Sequence, residues 1–464
     1  MNTKNTAGKA ALILIIAIVI VAGISFLPLS KISNGKIKDF NLLGDIMKEY
    51  AVNDSSSPDL SAENIDPELL KSDSLSVKNT GTRSEAVLEP DSVAIVAPKP
   101  SKVGDLVVIE DYTPDNRGLS SLRRAIGLGS LARIAFVGDS YIEGDIFTQD
   151  LREKLQNAYG GQGVGFVNMH SDFPGFRRSV RQGGSGWKTF TALKKGNYEY
   201  MALSEQYAIP SGKALSTYTG SKTFPHALQW SRSSFLFISP DDAVVSYRTD
   251  SKGEWTEHNV TGDSVVQSLS VDCLTDNFEI KTSAPELIGL GVWLDGNTGI
   301  ALDCMSSRGF SGVTLTKINS QLCRQMSAFI PYNLIILEFG INAMSAKQTD
   351  YHIYSNRMVN VISHVRSCYP GADILLLGIG DRGEKHGTEI HSMKVAEAMV
   401  TAQRDAARRA RCLFWDTREA MGGQDAIVEW TRSGLANKDY IHLTHKGGAV
   451  LADKLFNAMQ QSLK

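Results

Sequence analysis

Four short apolar segments constrain the fold of this chain most strongly, because helical patterns separate most of them. Each run is apolar throughout, as expected of parallel strands that are covered on both faces. After the first run, Phe147, Leu151 and Leu155 recur every four residues, which is typical of a helix packed on one face. The runs are residues 134–137, 334–339, 374–377 and 412–415. This alternation predicts an α/β fold with a doubly wound parallel sheet in three layers, α/β/α.

A β-rich segment interrupts this alternation. Between residues 172 and 302 the runs are short, several alternate between apolar and polar residues, and Gly, Pro, Asp and Asn separate them. Such a pattern is typical of antiparallel strands. The sequence therefore predicts an inserted β module at residues 172–302, which divides the α/β domain into residues 118–171 and 303–464.

The N-terminal segment is apolar enough to enter a membrane. Residues 10–27 carry no charge, and as a helix they would be about 27 Å long, close to the thickness of a bilayer core. Lys4 and Lys9 precede them, which predicts a cytoplasmic N terminus and an exported, periplasmic remainder. Residues 1–30 are thus expected to anchor the chain in the inner membrane, with a cleaved signal peptide as the alternative. Residues 31–117, rich in Ser, Asp, Pro and Lys from about residue 53, are expected to form a linker.

The composition excludes several functional classes. With 42% hydrophobic and 21% charged residues and a net charge of −2, the chain gives no electrostatic reason to bind nucleic acid. Its five cysteines contain no CxxC pair, which argues against a zinc ribbon or a thioredoxin-like redox site. No metal-ligand spacing is evident among five of the histidines, His170, His226, His258, His386 and His391. We expect neither a metal nor an organic cofactor.

A serine stands where the first predicted strand ends. Gly138, Asp139 and Ser140 come between the apolar run and the helical pattern, at the sheet edge where α/β folds place their sites. Capping of the following helix is the alternative role for such a serine. As a nucleophile, the hydroxyl would need a base, usually a histidine that a carboxylate orients.

The C-terminal region offers that base. Asp439 precedes His442 by three residues in "KDYIHLTHKGG", so one short loop could supply both the base and its orienting acid. His445 is the alternative base, but it lacks an acid partner at the same spacing.

Two further segments could supply hydrogen-bond donors to an oxyanion. Asn342 follows a predicted strand together with Gly340, and its side-chain amide can donate to a developing negative charge. Gly309 and Gly312 follow another candidate strand, where glycine lets a backbone N–H approach a substrate. A plain turn is the alternative for each segment.

Taken together, these segments resemble the motif blocks of the SGNH (GDSL-type) hydrolases, in the order Ser, Gly, Asn and Asp-x-x-His. The resemblance implies that Ser140 is the nucleophile, His442 the base and Asp439 its orienting acid. It also implies an oxyanion hole built from the N–H groups of Ser140 and Gly312 and the side chain of Asn342. The sequence departs from the family pattern at Ala343, where an acid often follows the asparagine, and this implies a loss of loop support rather than of chemistry.

The long interval between Ser140 and Asn342 resembles the peptidoglycan and carbohydrate O-acetylesterase branch, in which a carbohydrate-binding-like module is inserted. Several segments also resemble exported members from Bacteroidetes-type bacteria. The resemblance implies removal of O-acetyl groups from an envelope or dietary polysaccharide through an acyl-serine. An O-acetyltransferase working with a membrane partner and a non-catalytic glycan-binding scaffold are the alternatives.

Basic and aromatic side chains near these segments are candidates for substrate binding. Arg177, Arg178 and Trp187 could contact sugar, and Trp430 could form a wall of the acyl pocket. A solvated basic face and packing in the core are the respective alternatives.

Overall fold

The computed structural model describes residues 102–193 and 196–464 of the chain. The expected anchor at residues 10–27 lies outside these ranges, as do residues 31–101 of the expected linker. In the part of the chain that is described, no helix is both long and apolar enough to cross a membrane. The membrane anchor therefore stays a prediction.

The strands divide between a parallel sheet, an antiparallel module and two small hairpins. In chain order they are β1 (Lys102–Val103), β2 (Leu106–Val107), β3 (Glu110–Asp111), β4 (Ala132–Gly138), β5 (Gly163–Val167), β6 (Val180–Thr191), β7 (Gln206–Gly220), β8 (Trp230–Ser239), β9 (Ala243–Arg248), β10 (Thr256–Val260), β11 (Asp263–Thr275), β12 (Asn277–Thr282), β13 (Ile288–Asp295), β14 (Ile300–Ser306), β15 (Leu334–Glu338), β16 (Asp373–Leu377), β17 (Gly383–His386), β18 (Glu389–Ser392) and β19 (Leu413–Trp415).

The helices lie before, between and after the strands of the parallel sheet. In chain order they are α1 (Ser120–Gly127), α2 (Thr148–Tyr159), α3 (Ser320–Ser327), α4 (His352–Cys368), α5 (Ala396–Arg409), α6 (Thr417–Met421), α7 (Ala426–Arg432) and α8 (His445–Leu463). The hydroxyl of Thr444 caps α8 by accepting from the N–H of Gly447 at 3.2 Å. This cap fixes where α8 begins, three residues after the predicted base.

The parallel sheet confirms the predicted fold class. Within the described residues its order is β14-β4-β15-β16-β19, with β3 antiparallel at the edge. Numbered along the chain, the parallel strands run 2-1-3-4-5, the flavodoxin-like order. Every residue of β4 and β15 is buried, and all of them except Arg133 and Glu338 are apolar or glycine, as expected of strands covered on both faces.

The strand order reverses between β4 and β15, and this reversal positions the site. Connections on the two sides of the reversal lead away from each other, which opens a crevice at the carboxyl ends of these two strands. Ser140 follows β4 and Asn342 follows β15. The two predicted site segments therefore leave neighbouring strands at the same edge of the sheet.

The predicted β module forms a sheet of its own. Strands β5 to β13 pair antiparallel in a nine-stranded sheet within the described residues. Trp230, Phe235 and Phe278 belong to an apolar core that is separate from the core of the parallel sheet. The module lies between α2 and β14, so it is inserted after the first strand–helix unit.

The boundaries of the β module and of the α/β domain differ from those that the sequence predicts. The module already includes β5, which pairs with β13, and it ends at Asp295, because β14 pairs parallel with β4. At the N-terminal side, β3 pairs with β19, so the α/β domain includes part of the segment expected to be linker. In each case the pairing partner is distant along the chain, and local sequence patterns do not show it.

Candidate active site

Ser140 lies in the turn after β4 and does not cap the following helix. A 3₁₀ turn, Glu143–Asp145, separates it from α2, whose N-cap residue is Phe147. The Ser140 side chain is 8% exposed, and its Oγ lies 2.9 Å from Nε2 of His442. This hydroxyl therefore has a potential base within hydrogen-bonding distance.

Asp439 orients the His442 ring. Nδ1 of His442 lies 2.8 Å from Oδ2 of Asp439, and Oδ1 of Asp439 accepts from the N–H groups of Ile441 and His442. The left-handed conformation of Tyr440, with φ of 56°, accompanies this tight turn between the acid and the histidine. Burial alone would raise the pKa of Asp439, but these hydrogen bonds hold it below its usual value. A charged carboxylate at Nδ1 leaves Nε2 free to accept the Ser140 proton.

His445, the alternative base, contacts another part of the site. Its Nδ1 lies 3.0 Å from Nε2 of Gln149 on α2. Burial, together with the charge of Arg178, lowers the pKa of this imidazole. The structure thus places His442, and not His445, against Ser140.

The Asn342 amide lies next to the residue that precedes Ser140. Asn342 belongs to a 3₁₀ turn after β15, and its Nδ2 donates to Oδ2 of Asp139 at 2.8 Å and to the carbonyl of Phe310 at 2.9 Å. Both amide hydrogens therefore have acceptors, which fixes the direction in which the group points. An oxyanion at this position would compete with the Phe310 carbonyl for one of them.

The predicted glycine segment also docks at this turn. The hydroxyl of Ser306 donates to the carbonyl of Asp139 at 2.9 Å, and the N–H of Ser307 donates to the carbonyl of Gly138 at 2.8 Å. Gly312 has φ of 86°, and a Cβ there would lie 2.7 Å from the ring of Phe339, so only glycine fits. This segment thus holds the backbone of residues 307–312 beside the Ser140 turn.

The loop after β15, which has Ala343 where the family pattern often has an acid, is held by two other side chains. Arg382 donates to the carbonyl of Ile341 at 3.1 Å, and the Gln403 amide donates to the carbonyl of Phe339 at 2.7 Å. These two side chains hold the loop where the family pattern often has an acid.

The sequence analysis did not identify two buried acids at the centre of the site, Asp139 and Glu338. Asp139 is fully buried, and its Oδ1 accepts from the N–H of Tyr141 at 2.9 Å. Glu338, the last residue of β15, is 2% exposed, and its carboxyl is in hydrogen-bonding contact with that of Asp139. Burial raises the pKa of Asp139 to about 7, and burial and the Asp139 charge raise that of Glu338 well above its usual value. The sequence signal that could have identified this pair is Glu338, a single acid near the end of the apolar run at residues 334–339.

Three predicted substrate-binding residues make contacts within the protein, and their role in binding stays a prediction. Arg177 lines an open groove and donates to the carbonyls of Val164 and Phe166 at 3.0 and 2.8 Å. Trp187 is buried in the core of the module. Trp430 is 6% exposed and donates from Nε1 to the carbonyl of Met421, as expected for packing in the core.

An open groove lies beside the Ser140 turn. Its volume is about 150 Å³, and its lining includes Glu143, Gly144, Phe173, Phe176 and Gln182. Phe173 is 77% exposed, and Phe176 packs its ring on Gly144 while staying 43% exposed. Arg178, the remaining predicted substrate-binding residue, is exposed on the same segment, and its role stays a prediction. Over the described residues, no group of three or more His, Cys, Asp or Glu side chains could hold a metal ion.

Comparisons with known proteins agree with this architecture. A family model, described as GDSL-like lipase/acylhydrolase, matches residues 261–450, a segment that contains Gly312, Asn342, Asp439 and His442 and begins after Ser140. A solved structure described as a peptidoglycan O-acetylesterase in action is 23% identical, with a TM-score of 0.64 over 76% of this chain and 99% of that one.

Weaker likenesses extend to two other esterases. A family two carbohydrate esterase from Clostridium thermocellum is 12% identical over 56% of this chain and 94% of that one, with a TM-score of 0.26. An acetyl xylan esterase is 19% identical over 34% of this chain and 81% of that one, with a TM-score of 0.27. Both scores are too low to support an argument, and a search of curated proteins gave no match. Residues 261–450 therefore resemble the GDSL-like lipase/acylhydrolases, and the chain shares its fold with the peptidoglycan O-acetylesterase structure.

Proposed function

We propose that this protein is a serine esterase that removes acetyl groups from an O-acetylated polysaccharide through an acyl-serine intermediate. The hydrogen-bonded chain from Ser140 through His442 to Asp439 is the observation that carries the proposal. A hydroxyl, an imidazole and a carboxylate in this order are the groups that acyl transfer to serine requires.

Acylation begins when Nε2 of His442 takes the proton from Oγ of Ser140. Oγ attacks the acetyl carbonyl, and the N–H groups of Ser140 and Gly312, with the Asn342 amide, stabilise the oxyanion. When the tetrahedral intermediate collapses, the bond to the sugar oxygen breaks and His442 gives its proton to that oxygen. Asp439 stabilises the imidazolium that exists between these two transfers.

Deacylation repeats these steps with water as the nucleophile. His442 takes a proton from water, whose oxygen attacks the acyl carbonyl, and the bond to Oγ breaks. The proton returns from His442 to Ser140, and acetate leaves. None of these steps needs a metal or an organic cofactor.

The proposed substrate is acetylated peptidoglycan. The similarity to a peptidoglycan O-acetylesterase over most of both chains supports this choice. The groove beside the Ser140 turn also supports it, because exposed aromatic rings and side-chain amides together suit a sugar, which has both apolar faces and hydroxyl groups.

Release of acetate tests the proposed function directly. We expect the wild type to release acetate from O-acetylated peptidoglycan, and to release less from acetylated xylan, while Ser140→Ala releases none above background. Equal release by the wild type and Ser140→Ala would contradict the mechanism. Transfer of acetyl to an added glycan in preference to water would instead indicate the acetyltransferase.

We further propose that the enzyme is periplasmic and anchored by residues 10–27. The uncharged segment and the lysines before it support this placement. The full chain should fractionate with inner membranes, and a chain lacking residues 1–30 should not. Recovery of the full chain with the cytosolic proteins would contradict the proposal.

A further inference from the structure

The buried acids Asp139 and Glu338 form a carboxyl pair between two strands of the parallel sheet. Asp139 follows β4, Glu338 ends β15, and β4 and β15 pair with each other. A Cβ on Gly138 would lie 2.9 Å from Oε2 of Glu338, so the glycine leaves room for this side chain. Oε2 of Glu338 has no hydrogen-bond donor among the described residues. Two buried carboxyl groups in contact cannot both be ionised, so the pair must share a proton.

The contacts assign that proton to Glu338. The Asp139 carboxylate accepts from the N–H of Tyr141 and from the Asn342 amide, and both bonds stabilise its negative charge. The Glu338 carboxyl accepts from the backbone N–H of Asp139, but its Oε2 receives no bond from the described residues, so its negative charge is less well stabilised and the neutral form of Glu338 is favoured. As a neutral acid, Glu338 has one O–H group to donate, and the Asp139 carboxylate lies within its reach.

We propose that Glu338 is a positioning residue of the esterase site: its protonated carboxyl donates to Asp139, and the Asp139 carboxylate in turn holds the Asn342 amide beside Ser140. The proposal rests on the proposed function, because it acts through the oxyanion donor. Each link is a contact already described, from Glu338 to Asp139 and from Asp139 to Nδ2 of Asn342. A carboxylate in this position orients the amide as a fixed donor before substrate binds, which is the arrangement that stabilises an oxyanion most effectively.

The shared proton of Asp139 and Glu338 should make kcat depend on pH. The titratable groups that face the pair are His442, the phenol of Tyr141 and, beyond Tyr141, the buried Asp381. The His442 cation favours ionisation of Asp139, and the Asp381 charge raises the pKa of the Tyr141 phenol. When the pH rises far enough to remove the shared proton, the two carboxylates repel each other, and the Asn342 amide loses its fixed position. The wild type should therefore lose kcat at alkaline pH.

Two substitutions at position 338 separate positioning from folding. Glu338→Gln keeps a donor toward Asp139 but cannot ionise, so we expect kcat near that of the wild type at neutral pH and no alkaline decline from this pair. Glu338→Ala removes the donor, so we expect kcat to fall by on the order of tenfold or more with little change in KM, because the loss is confined to the transition state. Thermal melting should show that both variants are folded.

The substrate for this test is p-nitrophenyl acetate, an activated ester that reports on the oxyanion hole whatever the natural glycan is. If acetylated glycans are not hydrolysed but the two variants behave as expected, the glycan assignment fails and the positioning role stands. Infrared spectra give a second readout that does not need activity: the wild type should show a protonated carboxyl band at neutral pH that Glu338→Gln lacks. Absence of that difference, a kcat for folded Glu338→Ala equal to the wild type, or a Glu338→Gln variant that keeps the full alkaline decline would each overturn the proposal.

Discussion

Asp139 and Asp145 are both fully buried in the chain that follows β4, and their surroundings are opposite. Asp145 accepts from Nη1 and Nη2 of Arg152 at 2.7 and 2.8 Å, and Nε of Arg177 lies 3.4 Å from it. Burial alone would raise the pKa of Asp145, but the two guanidinium groups hold it far below its usual range. Asp139 faces another carboxyl, and burial raises its pKa to about 7.

This difference separates a structural acid from one that belongs to the reacting groups. The charge of Asp145 is compensated within a buried cluster that also includes Ser179, and this cluster joins the chain after β4 to the residue that precedes β6. The charge of Asp139 is stabilised instead by hydrogen bonds and by the His442 ring when that ring is protonated. Buried acids with raised pKa values concentrate at functional sites, and Asp139 lies directly before the proposed nucleophile.

Loss of the charge at Asp145 should destabilise the protein most. Asp145→Asn leaves Arg152 and Arg177 without their carboxylate, so the free energy of unfolding should fall by about 3–5 kcal/mol. Urea denaturation measures this loss. The kcat of the folded variant on p-nitrophenyl acetate should stay close to the wild type, and a large fall in kcat without a change in stability would contradict the structural role.

Removal of the Asn342 amide should affect catalysis more than stability. Asn342→Ala removes the donor that Asp139 orients, so kcat should fall by on the order of 10²–10³ with little change in KM. Steady-state kinetics on p-nitrophenyl acetate measure the effect. Asn457→Ala, on the exposed face of α8, serves as the control and should match the wild type. Equal kcat values for both variants would exclude Asn342 from the oxyanion hole.

The two acids should affect stability in opposite pH ranges. The lowered pKa of Asp145 contributes stability that is present above the unfolded value of about 4 and is lost as the pH falls below it. The raised pKa values of Asp139 and Glu338 contribute stability at low pH that is lost as the pH rises through the folded values.

Glu338→Gln tests the alkaline part of this difference, because its side chain has no proton to lose. In the pH range where the folded wild type holds the shared proton and the unfolded chain does not, the free energy of unfolding should fall by about 1.4 kcal/mol per pH unit. Glu338→Gln should lack this decline. Urea denaturation at several pH values measures the difference. Identical pH profiles for both proteins would contradict the shared proton.

Substitution of His445 should have the smallest effect. Because its Nδ1 contacts Gln149 and not Ser140, His445→Gln should leave kcat nearly unchanged. A general base contributes on the order of 10²–10⁴ to the rate, so a loss of that size in His445→Gln would show that the base had been assigned to the wrong histidine.

The sequence predicted what depends on local pattern. The continuous apolar runs identified four of the five described parallel strands, because strands covered on both faces have no polar side to show, but they did not identify β14, which contains Asp303. The spacing of Asp439 and His442 was sufficient as well, since both residues lie in one short turn that brings the carboxylate to Nδ1.

What the sequence did not predict depends on distant partners. Arg177 looked like a surface residue, but its carbonyl acceptors lie in β5, whose place in the module follows from pairing with β13. Glu338 looked like part of an apolar strand, because its partner Asp139 belongs to a different strand end. A charged residue within a buried run is unfavourable without a partner, so such residues indicate where a site contact should be sought.

Covalent labelling of Ser140 tests the central claim most directly. A fluorophosphonate reacts only with a serine that a base activates, so the account predicts one phosphonyl group per folded chain, located on Ser140 by peptide mass mapping. Ser140→Ala should not be labelled, and His442→Ala should be labelled far more slowly. Labelling of another serine, or equal labelling rates for the wild type and a folded His442→Ala variant, would contradict the account.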